Sequence, residues 1–197
     1  IDIKKQERIA LVGDNGVGKT TLFKTILDQL NAYQGKIKFG SKVDLAYYDQ
    51  EHSTLAMDKT IFNEISDNFP KMTNTEIRNS LALFNFKGDD VFKEISLLSG
   101  GEKGRVVLTE ILLKQANLLI LDEPTNHLDI ASKEVLEDAL NQFEGTIFFI
   151  SHDRYFINKV ATRVIELTST KAISYDGNYD TYLNHKSVAK PLKKENV

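Results

Sequence analysis

The sequence reads Gly13-Asp14-Asn15-Gly16-Val17-Gly18-Lys19-Thr20 between a short apolar run and a segment with helical apolar spacing. The apolar run over residues 8–12 predicts a strand, and residues 21–30 predict a helix. A glycine-rich turn in this position matches the pattern G-x-x-x-x-G-K-[ST], in which backbone N–H groups surround phosphate oxygens. The alternative interpretation is a glycine turn that holds no ligand.

The residues of this turn have distinct predicted roles. The Lys19 ammonium is expected to reach the β- and γ-phosphates of a nucleotide, and the Thr20 hydroxyl to bind Mg²⁺. Glycines allow the backbone to approach phosphate closely, and the start of the following helix adds a partial positive charge. The residues predicted to contact the nucleotide here are Gly13, Asp14, Asn15, Gly16, Val17, Gly18, Lys19, Thr20 and Thr21.

Strands and helices alternate along most of the remaining chain, which predicts an α/β fold with a mainly parallel sheet. Ligands of such sheets bind beyond the carboxyl ends of the strands. Residues 36–39 and 43–48, on either side of Gly40 and Ser41, are predicted to pair as a hairpin. Further strands are predicted over residues 117–121, 146–150, 163–167 and 172–175, and helices over residues 101–115, 132–143, 153–161 and from 177 onward.

Residues 51–98 differ in character and predict a small helical subdomain inserted between strands. Ile61, Phe62 and Ile65 have helical spacing, and the segment Thr73 to Glu76 has the form of a capping box that begins a second helix. The whole chain, residues 1–197, is therefore predicted to be one domain that contains this insertion.

Two carboxylates follow the apolar run of residues 118–121. Asp122 is placed to hold Mg²⁺, and Glu123 is placed to orient or deprotonate an attacking water molecule. Acids at the end of a buried strand are costly unless cations or water pair with them. The alternative is that these acids are solvated and cap the next helix.

A second glycine pair begins a predicted helix at Ser99, Gly100 and Gly101. Ser99 and Glu102 form a capping-box pattern, so this segment is also a good helix start without any ligand. Glycines are poor helix formers, however, and their presence after the cap is explained if a phosphate approaches the backbone.

Two further polar residues end predicted strands. His152 follows the strand of residues 146–150, and Gln50 follows the strand of residues 43–48. Both positions lie where parallel sheets bind ligands. A lone histidine with unknown partners also has an ordinary structural interpretation, and a glutamine by itself indicates nothing.

Taken in order, these elements resemble the nucleotide-binding domain of ABC ATPases. The resemblance covers nearly the whole chain and depends most on Leu98-Ser99-Gly100-Gly101, a sequence peculiar to that superfamily. It implies an ABC-type P-loop fold that binds ATP and Mg²⁺ and hydrolyses ATP. It also implies that two domains enclose two ATP molecules head to tail, so that one domain alone is weak or inactive.

The resemblance assigns roles to the scattered residues. Gln50 would contact Mg²⁺ and the attacking water, so it is both a catalytic and a metal-binding candidate beside Thr20 and Asp122. His152 would contact the γ-phosphate, and Asp129 would communicate across the domain pair. By the same resemblance, Ser99, Gly100 and Gly101 would bind the γ-phosphate of the ATP held by the opposite domain.

Within the superfamily the chain resembles the ABC-F proteins. Three features carry this: Asn126-His127 after the acids, Glu102 after the glycines, and the segment Gly177-Asn178-Tyr179 with Tyr182 three residues later. The resemblance implies a second ABC domain in the same parent chain, no membrane insertion, and action on the ribosome and its RNA in translation or antibiotic protection. The alternatives are the ATPase subunit of a membrane transporter, and a module that only binds nucleotide.

Composition limits the remaining possibilities. The chain has 197 residues, no cysteine and a formal net charge of −3, which excludes thiolate metal sites and argues against charge-driven binding to nucleic acid. No apolar run approaches the roughly 20 residues of a membrane span, and the first residues lack a signal-peptide core, so we expect a cytoplasmic protein.

The two ends carry separate expectations. The chain begins without Met and enters a strand pattern directly, so we expect a piece of a longer protein whose preceding part holds the adenine-stacking aromatic residue of ABC domains. At the other end, residues 186–197 are predicted to be a basic, disordered tail, with contact to RNA phosphates as the alternative. Its lysines are Lys186, Lys190, Lys193 and Lys194.

Overall fold

A mainly parallel sheet forms the centre of the structure, a computed structural model that describes residues 1–32, 34–48, 55–114 and 116–188. Across these residues the strand order is β2-β3-β4-β1-β5-β6, and only the β5–β6 pair is antiparallel. The carboxyl ends of five strands therefore share one edge, as the alternating pattern predicted. The strands are β1 Arg8–Val12, β2 Leu45–Tyr48, β3 Leu118–Asp122, β4 Thr146–Ile150, β5 Arg163–Leu167 and β6 Ala172–Asp176.

Helices cover both faces of this sheet. One face packs on α1, where the rings of Phe23 and Phe148 meet edge to face with centroids 4.9 Å apart. The larger apolar cluster lies on the other face. The helices are α1 Lys19–Ile26, α2 Ile61–Asn68, α3 Asn74–Leu83, α4 Gly100–Leu113, α5 Ile130–Gln142, α6 Arg154–Val160 and α7 Tyr179–Val188, with two short 3₁₀ segments at Gly88–Phe92 and Ile95–Leu97.

The segment between β2 and α4 contains two α-helices and two short 3₁₀ segments among its described residues. Thr60 caps α2, and Thr73 forms the predicted capping box with Glu76 at the start of α3. The buried residues of α2 and α3, including Ile65 and Leu81, belong to the same apolar cluster as the sheet residues. The helices therefore share a core with the sheet.

The predicted hairpin is wrong. Residues 36–40 form no strand in the described part of the chain, and β2 pairs in parallel with β3 instead. Ile37 and Phe39 are 43% and 51% exposed, so the apolar side chains of this segment do not pack against the rest of the domain. A two-stranded ribbon without such packing is marginally stable in water.

The predicted tail is also partly wrong, because Lys186 lies in α7 and its ammonium pairs with the Glu166 carboxylate. Lys190, Lys193 and Lys194 lie outside the described residues. No helix among the residues that the structure describes is long and apolar enough to cross a bilayer.

Candidate functional site

The turn of residues 13–20 wraps the start of α1 as the sequence pattern predicts. Gly13, Gly16 and Gly18 have φ angles of 150°, 79° and 102°, a region that favours glycine. A Cβ atom on Gly13 would lie 2.3 Å from the carbonyl oxygen of Leu167, so no other residue fits there without displacement of β5. The turn can therefore form only with glycine at this contact.

Lys19 lies across the turn that it follows. Its Nζ donates to the carbonyl oxygens of Gly13 at 2.9 Å and Asp14 at 3.1 Å, and the residue is only 8% exposed. Gly18 caps α1 without a side chain, so it offers no acceptor to the first N–H groups of the helix. A buried cation beside uncapped N–H groups suits a phosphate.

The remaining residues of the turn lie on its outer side. Asn15, Thr20 and Thr21 are exposed, and Val17 is half-buried with its N–H bonded to the carbonyl of Asp14 at 3.3 Å. The turn thus presents main-chain groups and hydroxyls to solvent, as a phosphate-binding loop requires.

Asp122 and Glu123 lie at the carboxyl end of β3. They are only 6% and 9% exposed, and Asp122 is in register with Ile150 on β4. Glu123 has φ of 51°, an uncommon value for a residue with a side chain, and its N–H donates to the Ile150 carbonyl at 3.0 Å. The strand end therefore turns sharply at Glu123.

His152 meets Glu123 from the end of β4. Its backbone N–H donates to Oε2 of Glu123 at 3.2 Å, and its ring Nε2 lies 3.4 Å from Oε1. Burial raises the pKa of Glu123 above its ordinary value, although the His152 charge and backbone N–H oppose the rise. A carboxylate with a raised pKa, held between polar neighbours, suits a proton acceptor.

The oxygen atoms of Thr20 and Asp122 suit Mg²⁺, which prefers oxygen ligands and commonly retains water and substrate phosphate oxygens. Gln50, the third candidate, lies outside the described residues. Among those residues no group of three or more acidic or histidine side chains could hold a metal by itself. Mg²⁺ bound by Thr20 and Asp122 would neutralise charge on the phosphates.

A cavity of about 410 Å³ extends from the turn of residues 13–20 to His152. Its walls include Gly13, Asp14 and Lys19 on one side and Ser151 and His152 on another, and residues of α7 close it. The structure therefore brings together the candidates from the turn and from the end of β4.

Ser99, Gly100 and Gly101 face a different cavity, of about 680 Å³, together with His127 and Asp129. Ser99 caps α4, and Glu102 completes the predicted capping box. A Cβ on Gly101 would lie 2.4 Å from the His127 carbonyl oxygen, whereas one on Gly100 would meet nothing within 4 Å. Close packing of the backbone on His127 thus explains the second glycine.

Asp129 joins this second cavity to α5. Its Oδ1 accepts from the Ser132 N–H at 2.7 Å and so caps α5, and its Oδ2 lies 3.5 Å from a nitrogen of Arg105 on α4. Hydrogen bonds to Ser132 hold the pKa of Asp129 below its ordinary value. Asp129 therefore stabilises the start of α5 and links it to α4.

A family model described as ABC transporter matches residues 1–126 of this chain. The chain belongs to that family. Its members are ATPase domains, and they bind ATP with Mg²⁺. In this ABC domain the turn of residues 13–20 and the Ser-Gly-Gly segment line two different cavities.

Relatives of this ABC domain include F-type members, which confirms the predicted resemblance. It is 51% identical over 194 residues to putative ATP-binding protein YdiF of Bacillus subtilis, 39% over 199 residues to ABC transporter F family member 5 of Arabidopsis thaliana, and 39% over 189 residues to energy-dependent translational throttle protein EttA of Escherichia coli. Alignments cover 98%, 99% and 93% of this chain, but the chain spans only 30%, 29% and 34% of those proteins.

Solved structures agree with the predicted fold. An ATP-binding subunit of an ABC transporter superposes with a TM-score of 0.80 over 97% of this chain and 86% of its own, at 19% identity. An archaeal ribosome recycling factor, solved with a ribosomal stalk protein, superposes with a TM-score of 0.73 over 94% of this chain and 37% of its own, at 26% identity. The chain has the ABC-type P-loop fold with a mainly parallel sheet.

Sequence reasoning missed a contact between the ends of β3 and β4 in this ABC domain. The hydroxyls of Thr125 and Ser151 lie 3.1 Å apart in a buried position and join the segment after Glu123 to the segment before His152. The sequence contains several other small polar residues near its charged motifs, so neither Thr125 nor Ser151 stands out. The one available signal was that both residues follow strands that could be adjacent in the sheet.

Proposed function

We propose that this ABC domain acts as one half of an ATP-driven clamp, in which two such domains close on two ATP molecules. The observation that carries the proposal is the separation of the two cavities. One holds Lys19 and His152, and the other holds Ser99 and Gly101. Two half-sites on one domain form complete sites when a second domain is placed head to tail.

In each complete site the residues of this chain have separate roles in ATP binding and hydrolysis. Lys19 and the N–H groups of the turn hold the phosphates, and Thr20, Asp122 and Gln50 would hold Mg²⁺, which neutralises phosphate charge when it is bound. Glu123 orients and deprotonates the attacking water, and His152 contacts the γ-phosphate while it holds the Glu123 carboxylate. ATP closes the pair, and hydrolysis releases it.

The isolated chain is expected to hydrolyse ATP weakly, because it lacks the opposite half of each site. Turnover per domain should rise with protein concentration if two copies pair. A substantial turnover per domain that stays constant on dilution would contradict the composite site, and would leave the phosphate-binding turn as a complete site by itself.

We further propose that the parent protein is cytoplasmic and acts on the ribosome. Support comes from the ABC-F resemblance and from the relative named as a translational throttle protein. Protection of the ribosome from antibiotics is a narrower form of the same proposal. The alternative of a transporter subunit would replace the ribosome by a membrane partner.

Co-sedimentation with ribosomes tests this part of the proposal. The full-length parent carrying Glu123→Gln should pellet with ribosomes when ATP is present and remain in the supernatant without ATP. Wild type with ADP is the control, since a clamp without a γ-phosphate should stay open. Equal pelleting with and without ATP, or none, would contradict an ATP-driven ribosome clamp.

A further inference from the structure

The Glu166 carboxylate is the meeting point of three side chains at the end of β5. Oε2 accepts from the Tyr175 hydroxyl at 3.4 Å, and Oε1 accepts from the Tyr182 hydroxyl at 3.1 Å and from the Lys186 ammonium. The Lys186 ammonium also lies 3.0 Å from the Tyr182 hydroxyl. Burial favours the neutral acid, but the hydrogen bonds from Lys186 and Tyr182 outweigh it and lower the pKa of Glu166.

This carboxylate lies directly behind the phosphate-binding turn. Glu166 is in register with Val12, the residue before Gly13, and the next carbonyl, that of Leu167, occupies the place where Gly13 has no Cβ. Glu166 and Lys186 also line the cavity that contains Lys19. A shift of the β5 end would therefore displace the first residue of the turn.

The segment that supplies these partners begins at Gly177, part of the Gly-Asn-Tyr sequence. Gly177 has φ of 110°, and the Asn178 side chain accepts from the Thr181 N–H at 3.1 Å at the start of α7. The N–H of Asp180, also in the first turn of α7, donates to the Asn158 side chain of α6 at 3.0 Å. These bonds fix the first turn of α7.

The tyrosines continue this attachment to the sheet. The rings of Tyr175 and Tyr182 meet edge to face with centroids 5.1 Å apart, and the guanidinium of Arg154 lies 5.9 Å from the centroid of Tyr179. Tyr182 is only 5% exposed. The helix is thus held in the position from which Tyr182 and Lys186 reach Glu166.

We infer that Glu166 is a positioning residue for the phosphate-binding turn, and that α7 holds it in place through Tyr182 and Lys186. The inference rests on the proposed nucleotide binding at residues 13–20 and gives the Gly-Asn-Tyr element a role in it. Loss of the Lys186 contact leaves Glu166 with the two tyrosine hydroxyls as its side-chain partners, so the end of β5 and its Leu167 carbonyl are held less firmly against Gly13. Nucleotide affinity falls, whereas the chemistry at Glu123 is untouched.

Binding of a fluorescent ADP derivative to the full-length parent, with and without Mg²⁺, tests the inference. Lys186→Met should raise the ADP Kd by roughly threefold to tenfold, because one charge-assisted hydrogen bond is lost. Lys186→Arg should restore most of the affinity. In the full-length parent, Lys186→Met should raise KM for ATP with little change in kcat.

Glu7→Gln is the matched control, because Glu7 pairs with Arg163 at the opposite end of β5 over 3.1 Å. Both Glu7→Gln and Lys186→Met should lower the melting temperature, but only Lys186→Met should weaken ADP binding. Equal ADP affinity of Lys186→Met and wild type, or an equal loss in both variants, would overturn the positioning role. A wild-type full-length parent that binds no ADP would instead contradict the proposed function itself.

Discussion

The backbone N–H of His152 donates to one oxygen of Glu123 at 3.2 Å, while the ring of the same histidine lies 3.4 Å from the other oxygen. Residues at the ends of neighbouring strands thus hold the carboxylate from two directions. The left-handed backbone of Glu123 makes this approach possible, because it turns the side chain back toward β4. The proposed proton acceptor is therefore in position before ATP arrives.

Glu123→Gln should separate binding from hydrolysis. The amide retains an oxygen for the His152 N–H but cannot take a proton from water, so ATP turnover by the full-length parent should fall by roughly two to four orders of magnitude. ATP affinity should be retained. Phosphate release and ATP binding measure the two effects, with the exposed Glu134→Gln on α5 as control. Turnover equal to wild type would remove Glu123 from the mechanism.

Lys19→Ala should weaken nucleotide binding by about tenfold to a hundredfold, because it removes the charged donor proposed to hold the phosphates. Isothermal titration with ADP measures the change. Lys24→Ala, in the last turn of the same helix, is the control and should bind ADP like wild type. Equal affinity of Lys19→Ala and wild type would exclude residues 13–20 as the phosphate site.

The two adjacent glycines of α4 should respond oppositely to alanine. Gly101→Ala should destabilise the domain by about 1–3 kcal/mol, because its Cβ would overlap the His127 carbonyl. Gly100→Ala meets open space and should be neutral or slightly stabilising. Urea denaturation of both variants gives the comparison. Equal stabilities would show that His127 moves aside without cost.

The domain should become more stable as the pH falls from 7 toward 5. Burial raises the pKa of Glu110 to about 6 despite the hydrogen bond from Asn68, 2.7 Å away. A folded-state pKa above the unfolded value means that the native state binds the extra proton. Stability is therefore gained as pH drops through about 6 and levels off below about 4.5, a total of about 2 kcal/mol from this group.

Glu110→Gln tests the source of this pH dependence. The amide oxygen can still accept from Asn68, but no charge is buried, so the variant should be more stable than wild type at pH 7.5 and similar near pH 4.5. Denaturation at a series of pH values measures the difference. A pH dependence identical to that of wild type would assign the effect to other buried acids.

Sequence patterns predicted the elements that build the sheet because those segments are strongly apolar. The strand of residues 146–150 and the strand of residues 163–167 lie where predicted, and both contain buried residues. The pattern at residues 36–39 predicted a strand that is not formed, because alternation specifies a strand only where one face is buried. Periodicity describes a segment and contains no information about what covers it.

The candidate site could be predicted only where a motif is local. Residues 13–20 contain the whole turn in one segment, whereas the approach of Gly101 to His127 joins two segments and depends on how α4 packs. Glu166 gave no signal beyond a charged residue within an apolar strand pattern. Its three partners come from β6 and α7, so their meeting is a property of the folded chain.

The position of the Lys19 ammonium on two carbonyl oxygens of its own turn has a consequence for recognition. Lys19 is only 8% exposed, so its ammonium is largely dehydrated on folding, and in the proposed function this cost is not repeated at each encounter with ATP. A phosphate that binds there would replace the two carbonyl oxygens, which carry partial negative charges, by an oxygen that carries a full charge as the partner of the Lys19 ammonium. The site is thus preorganised, and we expect nucleotide to bind with little conformational change after the first encounter.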